Sequence, residues 1–391
     1  MRILVAAEHL GHAGGMERYL AVVLPALVER GATVHVLARR IDAIPLGVTA
    51  ETIAWADEHD EPAAAAQREV QRATAAFRPD VAVAHNVMDA GVVESLRAVP
   101  SLVYHVHDHR PFCPNGDRLY PRSARICGEP IGIACARRAL TDGCAYGPRA
   151  RTVSLIRRRH RLRDAIAASD SVAVASRYMR AVATANGVAP ERIVTIAPPL
   201  SERAFRDDAP PGTSRTVVFA GRVVPQKGLD ALVRAVARIA AASRPELAVL
   251  GDGAALANVL DVASRRGVAV RAHGVVMPDA VRDTIDRAAL VALPSVWAEP
   301  FGYVGIEALA RARPVVAFDV GGVRDWLEHG ANGTLVARGD EDALGGAIAE
   351  LLDDVDRRSR YGREARRTAE RYRLPPIADG LMRAYTQRSS S

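Results

Sequence analysis

Two successive series of short apolar runs, each run separated from the next by a longer amphipathic stretch, leave this chain few folds to choose from. A strand buried on both faces of a parallel sheet reads as an unbroken apolar run, and the crossover to its neighbour needs a helix. In the first series strands are expected at Ile3–Ala6, Thr33–Leu37, Val81–Ala84, Leu102–His105 and Val172–Ala175, with helices over Met16–Glu29 and Ala63–Ala76. The pattern breaks at Ala197-Pro-Pro-Leu200 and again at Asp207-Asp-Ala-Pro-Pro-Gly212. It then restarts with Thr216–Ala220, Leu247–Leu250, Val268–Arg271, Leu290–Leu293 and Pro314–Ala317. The expectation is an α/β chain of two doubly wound sheets: residues 1–198, residues 199–371, and a terminal helix over 372–391 that crosses back to the first. Open sheets of this kind bind ligands at the carboxyl ends of their strands, so two of them facing each other would share a central cleft.

The chain has 391 residues, 49% hydrophobic and 25% charged, which excludes disorder, collagen and coiled coil. No run approaches the eighteen apolar residues of a membrane span. The opening Met1-Arg-Ile-Leu-Val-Ala-Ala7 is too short for a signal peptide, so a cytoplasmic location is expected. Among 52 Lys and Arg there is one lysine, Lys227, so its position invites attention.

Lys227 lies in Gly221-Arg-Val-Val-Pro-Gln-Lys-Gly228, directly after an expected strand and before an expected helix. Arg222 and Lys227 can converge there on a diphosphate beside the free amides of a helix start; the alternative is a surface turn with two solvated charges. A second segment, Glu299-Pro-Phe-Gly-Tyr-Val-Gly-Ile-Glu307, places one carboxylate in a loop and the other on the helix that follows. The spacing alone is equally compatible with two ordinary surface carboxylates.

Together the two segments resemble the family 4 retaining glycosyltransferases of the GT-B fold, with their Glu-x7-Glu and Gly-Arg-x4-Lys-Gly elements. The resemblance extends through Gly251-Asp-Gly253, Pro294-Ser295, Val320-Gly-Gly322 and Asn332-Gly333, and more thinly to Gly14-Gly15-Met16-Glu17 and His107-Asp108. It implies two Rossmann-like domains and a sugar passing from a nucleoside diphosphate donor, a UDP- or GDP-sugar, to an acceptor hydroxyl, with no catalytic metal. Arg222 and Lys227 would hold the diphosphate and Glu307 the ribose, while Glu299 holds hydroxyls of the transferred sugar. Gly15, Gly251, Gly253, Phe301, Gly302 and Tyr303 would complete the donor side. Glu17, His107, Asp108 and His109 would face the acceptor, with His107 acting in catalysis and His105 and His109 as close alternatives. A nucleotide-sugar 2-epimerase and a non-catalytic nucleotide-sugar-binding protein would share these elements.

Three further features carry expectations. The segment Gly11-His-Ala-Gly-Gly15 does not fit Gly-x-Gly-x-x-Gly and reads as a loop near phosphates or as a plain turn. All four cysteines, Cys113, Cys127, Cys135 and Cys144, fall in an irregular insertion over 110–147, which points to structural zinc, two disulfides or free thiols. Arg149–Arg163 holds seven arginines and no acid, with Leu155, Ile156, Leu162 and Ile166 as an apolar stripe. That suggests peripheral contact with an anionic membrane and a lipid-linked acceptor, against a solvated face or a site for a small acidic acceptor. Aromatic residues do not interleave, so nucleic acid is not expected.

Overall fold

The computed structural model describes residues 1–11, 14–56, 64–144, 149–206 and 214–386. The chain divides into two compact units, Met1–Pro199 with the residues from Leu374 on, and Leu200–Arg373. The proline pair at 210–211 lies outside the described residues.

The first unit is built on a seven-stranded sheet of β1 (Arg2–Leu10), β2 (Thr33–Ile41), β3 (Thr49–Thr52), β4 (Val81–His85), β5 (Leu102–Val106), β6 (Ser171–Val174) and β7 (Ile193–Thr195). The order is β3-β2-β1-β4-β5-β6-β7, and every pairing is parallel, with Val5 opposite both Val36 and Val83. Because β2 and β4 flank β1, the order reverses there, and the loops after β1 and β4 open a crevice at the carboxyl end of the sheet. Helix Gly15–Glu29 buries Tyr19, Leu20, Val23, Leu24 and Leu27, the 3-4 spacing of a single helical face. The final helix, Leu374–Thr386, adds Leu381 and Tyr385 to that same core. Arg30 Nε pairs with Asp379 Oδ1 at 2.6 Å and Arg30 Nη2 donates to the Pro375 carbonyl, so the last helix is held to the first by charge as well as by packing.

The second unit has six strands, β8 (Val217–Ala220), β9 (Leu247–Leu250), β10 (Val270–Ala272), β11 (Leu290–Leu293), β12 (Val315–Phe318) and β13 (Gly333–Val336), ordered β10-β9-β8-β11-β12-β13 and all parallel. The reversal falls between β8 and β11. Three strands absent from the sequence expectation, β3, β7 and β13, are all sheet edges, and a fourth edge, β10, begins two residues later than expected. An edge strand needs no continuous apolar run, because one side meets solvent: β3 is exposed at both ends and half-buried at its two central residues.

The arginine-rich segment forms helix Arg149–Ala167, and here a sequence expectation is corrected. Of the expected lipid-facing stripe, Leu155, Leu162 and Ile166 are buried at 3%, 0% and 0% exposure, the latter two in the core beneath β5 and β6, and Ile156 is half-buried. Arg161 leaves the charged face to form a two-pronged pair with Glu94, at 2.9 and 2.5 Å, and Arg159 is buried. The apolar side is therefore spent on folding.

Candidate functional site

In the second unit, four loops at the carboxyl ends of β8, β9, β11 and β12 nest backbone to backbone. The loop after β8 bends into the short 3-10 turn Pro225–Lys227 and passes into helix Leu229–Ala237 through Gly228, whose φ of 69° lies in the left-handed region. A Cβ on Gly228 would overlap the carbonyl oxygen of Pro294, so glycine is required both by the backbone angle and by the approach of the loop after β11. Val296 N and Trp297 N both donate to the Gln226 carbonyl, at 2.9 and 3.4 Å, fastening these two loops together. Val223 N donates to Asp252 O and Gly322 N to Glu299 O, each at 2.8 Å, which draws in the loops after β9 and β12. Gly251 and Gly253 lie in the first of these loops; Gly322 lies in the second.

Lys227 and Glu299, far apart in sequence, meet at the centre: Lys227 Nζ donates to Glu299 Oε1 at 2.7 Å. Ser295 Oγ donates to the same oxygen, and Lys227 stands 5.0 Å from the centre of the Trp297 ring. Glu299 is buried, at 3% exposure, while Lys227 keeps an open edge. Burial by itself would raise the Glu299 carboxyl, but the Lys227 charge and the hydrogen bonds from Lys227, Ser295 and Trp297 outweigh it and hold the group below the usual carboxylate range. Lys227 and Glu299 thus neutralise one another, although each was expected to meet a different part of a donor. An ammonium has three N–H donors, and one bond to Glu299 leaves it able to take a phosphate oxygen as well. Arg222 is exposed at the mouth of the same loop.

Immediately after Glu299 the chain enters helix Tyr303–Ala310 through Gly302, with no side chain capping its first turn. Amides at such a start favour an anion. Trp326, which sequence reasoning did not single out, sets the position of this helix: its indole donates to Phe301 O at 2.6 Å and lies flush against Gly302 and Gly305. Phe301 is buried, Tyr303 is half-buried, and Glu307 is half-buried one turn further along. The small residues at 302 and 305 were a legible signal that something large packs there; the identity of the partner was not.

In the first unit, Gly14, at φ 111°, leads into the helix beginning at Gly15, and Glu17 Oε1 stands 3.3 Å from His9 Nδ1. His12 and Ala13 of the expected glycine loop lie outside the described residues. His107 follows β5 and accepts a fixed position from three neighbours: its backbone N donates to Asn86 Oδ1 at 3.0 Å, its Nε2 is 2.8 Å from His85 Nδ1, and its ring stacks on His105 at 4.4 Å. Tyr19 stands edge-on to His105 and His107. Burial first, then the neighbouring imidazoles, push all three histidines well below their ordinary value, so they are neutral at physiological pH. Asp108 is turned back onto Arg110, its carboxylate accepting from both the backbone N and Nε of that residue.

His109, expected on the acceptor side, is instead wholly buried and edge-on to Tyr178, because the turn Arg110–Phe112 folds it under the sheet end. His105 is also buried, which leaves His107 as the least enclosed of the three candidates. Glu8 and His9, which follow the opening apolar run and were not singled out from the sequence, stand at the same edge. Burial raises the Glu8 carboxyl despite hydrogen bonds from Met88 N and Trp55 Nε1. A carboxylate at the end of an otherwise apolar first strand was the available signal for it.

The description "Glycosyltransferase Family 4" matches residues 13–202, and "Glycosyl transferases group 1" matches residues 201–368. The chain belongs to the family 4 glycosyltransferases. A D-inositol 3-phosphate glycosyltransferase of Thermobispora bispora is 34% identical over 221 residues, 51% of each chain, so this family 4 chain spans about half the length of that relative. The enzyme of the same name from Jonesia denitrificans is 29% identical over 97% of this chain and 93% of its own length. Among solved structures, Anabaena Alr3699/HepE in complex with UDP superposes with a TM-score of 0.72 at 18% identity, covering 98% of this chain and 99% of that one. The family 4 chain therefore has the GT-B fold.

Proposed function

We propose that this protein transfers a sugar from a nucleoside diphosphate donor to an acceptor hydroxyl with retention at the anomeric carbon. The observation that carries the reading is the Lys227–Glu299 pair, set at the switch between β8 and β11 beside the uncapped start of helix Tyr303–Ala310. As the bond from the anomeric carbon to the diphosphate breaks, its electron pair passes to the departing phosphate oxygen. Lys227, Arg222 and the helix start meet that growing negative charge, so they favour the transition state over the bound donor. The acceptor oxygen then bonds to the same face of the sugar, and its proton goes to the departing phosphate.

In this reading Glu299 orients hydroxyls of the transferred sugar and Glu307 those of the ribose. A covalent role for Glu299 is disfavoured, since its carboxylate is already engaged by an ammonium and a hydroxyl. A sugar-contacting role for His107 rests on the resemblance. UDP is the first nucleotide to try, because a structural neighbour is described as a UDP complex. A phosphorylated polyol is the first acceptor, because the relatives from Thermobispora and Jonesia bear the name D-inositol 3-phosphate glycosyltransferase. Contact with an anionic membrane would fall to exposed arginines such as Arg151 and Arg157 alone.

The test is a panel of UDP-, GDP- and dTDP-sugars screened by thermal shift, followed by proton NMR of the product. A ligand that binds only the folded form raises the melting temperature, so one nucleotide series should stand out. The product should carry the donor's anomeric configuration. A melting temperature unmoved by every donor, or an inverted product, would overturn the reading.

A further inference from the structure

The insertion that follows β5 has little to hold its shape. Helix Ile133–Thr141 buries none of its residues, and Ile133 and Leu140 point outward at 92% and 65% exposure. Beside it are a short turn after Phe112, a bridge between Leu119 and Ile126, and polar ties such as Arg122 Nη1 to Thr141 O and Arg138 to Glu129. Phe112, Tyr120 and Ile131 are buried, a core small enough to gain from another centre to order around. The four cysteines come from four separate places in it: after the turn Arg110–Phe112, beyond the bridge, inside the helix, and just past the helix end. All four nevertheless line one small cavity of about 30 Å³, together with Arg118, Tyr120 and the Arg138–Glu129 ion pair, whose charges offset one another at 2.7 Å.

We propose that Cys113, Cys127, Cys135 and Cys144 form a tetrathiolate zinc site that orders this insertion. The four thiols give up their protons to solvent and four Zn–S bonds form, leaving a centre of net charge −2. The surroundings match that charge. Arg118 is 3% exposed, lines the cavity, and its Nε is buried without a hydrogen-bond partner. Its Nη1 donates to the Glu129 carbonyl at 3.2 Å, but among the described residues no carboxylate pairs with its charge, and a thiolate centre would supply the missing anion. Disulfides and protonated thiols are both uncharged and would leave the Arg118 charge without a counter-ion. Among the described residues the ligand atoms already within 4.8 Å of one another are those of His85, His105 and His107. Of those rings, His85 Nδ1 and His107 Nε2 are taken up by one another at 2.8 Å and His105 stacks on His107, and burial keeps the cluster free of compensating charge, whereas the four thiols surround a cavity the size of an ion.

The experiment is metal analysis of the full chain, expressed in zinc-supplemented medium and purified under reducing conditions without chelator, with a readout independent of sugar transfer. About one zinc per chain is expected, released when a mercurial blocks the thiols and absent from Cys113→Ser/Cys135→Ser. Because that variant can fail to fold, the wild type is also treated with a thiol-reactive chromogen in its native state: the four thiols should resist it until zinc is removed. Zinc-free protein with four reactive thiols, a mass showing two disulfides, or zinc that persists in the quadruple Cys→Ser variant and is lost in His85→Ala would each overturn the proposal.

Discussion

At the residue scale the Lys227–Glu299 pair decides most. Removing one member of a buried ion pair leaves the other charge uncompensated, which costs about 3–5 kcal/mol where burial is complete. Lys227→Ala should therefore destabilise the second unit, measured by urea unfolding, by up to that amount, since Lys227 retains a solvent edge. It should also slow transfer by about 10²–10³ if the ammonium meets the departing phosphate. The double variant Lys227→Met/Glu299→Gln separates the two effects: stability should recover in part, whereas turnover should not. Recovery of turnover would sink the assigned role. In the first unit, His85 Nδ1 holds the His107 ring through its contact with Nε2, so on the proposed reading it would position that ring for transfer. His85→Ala should lower kcat by about tenfold with little change in donor KM, short of the 10²–10⁴ expected for losing a general acid–base group. An unchanged kcat would mean that the ring orientation of His107 does not matter to transfer.

At the scale of elements, the site depends on loops that touch through glycine. Gly228→Ala meets two penalties, a left-handed backbone and the Pro294 carbonyl, and should cost about 1–3 kcal/mol while weakening donor binding, because it separates the lysine loop from the glutamate loop. Calorimetry of UDP binding beside thermal unfolding would check both parts; a stable variant with full affinity would contradict the nesting. The elements also show where sequence reading reached its limit. The central strands β1, β4, β8 and β11 are apolar runs because both of their faces are covered, so each stands out in the sequence. The edges β3, β7 and β13 are three or four residues long and half covered, and such segments look like loops until a neighbour pairs with them. The basic helix went astray for a related reason: an apolar stripe has the same spacing whether it faces lipid or a sheet.

At the scale of the whole molecule, the second unit carries a charge cluster that links its fold to pH. Asp286 accepts from Arg206 Nη1 at 2.8 Å and from Arg311 Nε at 2.6 Å, and also from Arg311 Nη2. Burial would raise its carboxyl, but the two guanidinium groups prevail and hold it below the ordinary value. Its stabilising contribution is therefore complete above the unfolded value of about 3.9 and is lost as pH falls through the lower, folded value. Acid titration of the urea midpoint should show this loss, and Asp286→Asn should be less stable at neutral pH with a shallower acid dependence. An unaltered slope would assign the acid sensitivity to other carboxylates. What the sequence determined by itself was the pair of doubly wound sheets and the kinds of chemistry in two short segments, because hydrophobic period and motif spacing are local and survive being written on a line. Tertiary structure alone decided that Lys227 neutralises Glu299, that Trp326 wedges the following helix, that His109 turns inward while His107 does not, and that four scattered cysteines share one cavity. Those facts depend on which distant segments the chain brings within a few ångströms, and on the burial that follows, neither of which has a period to read.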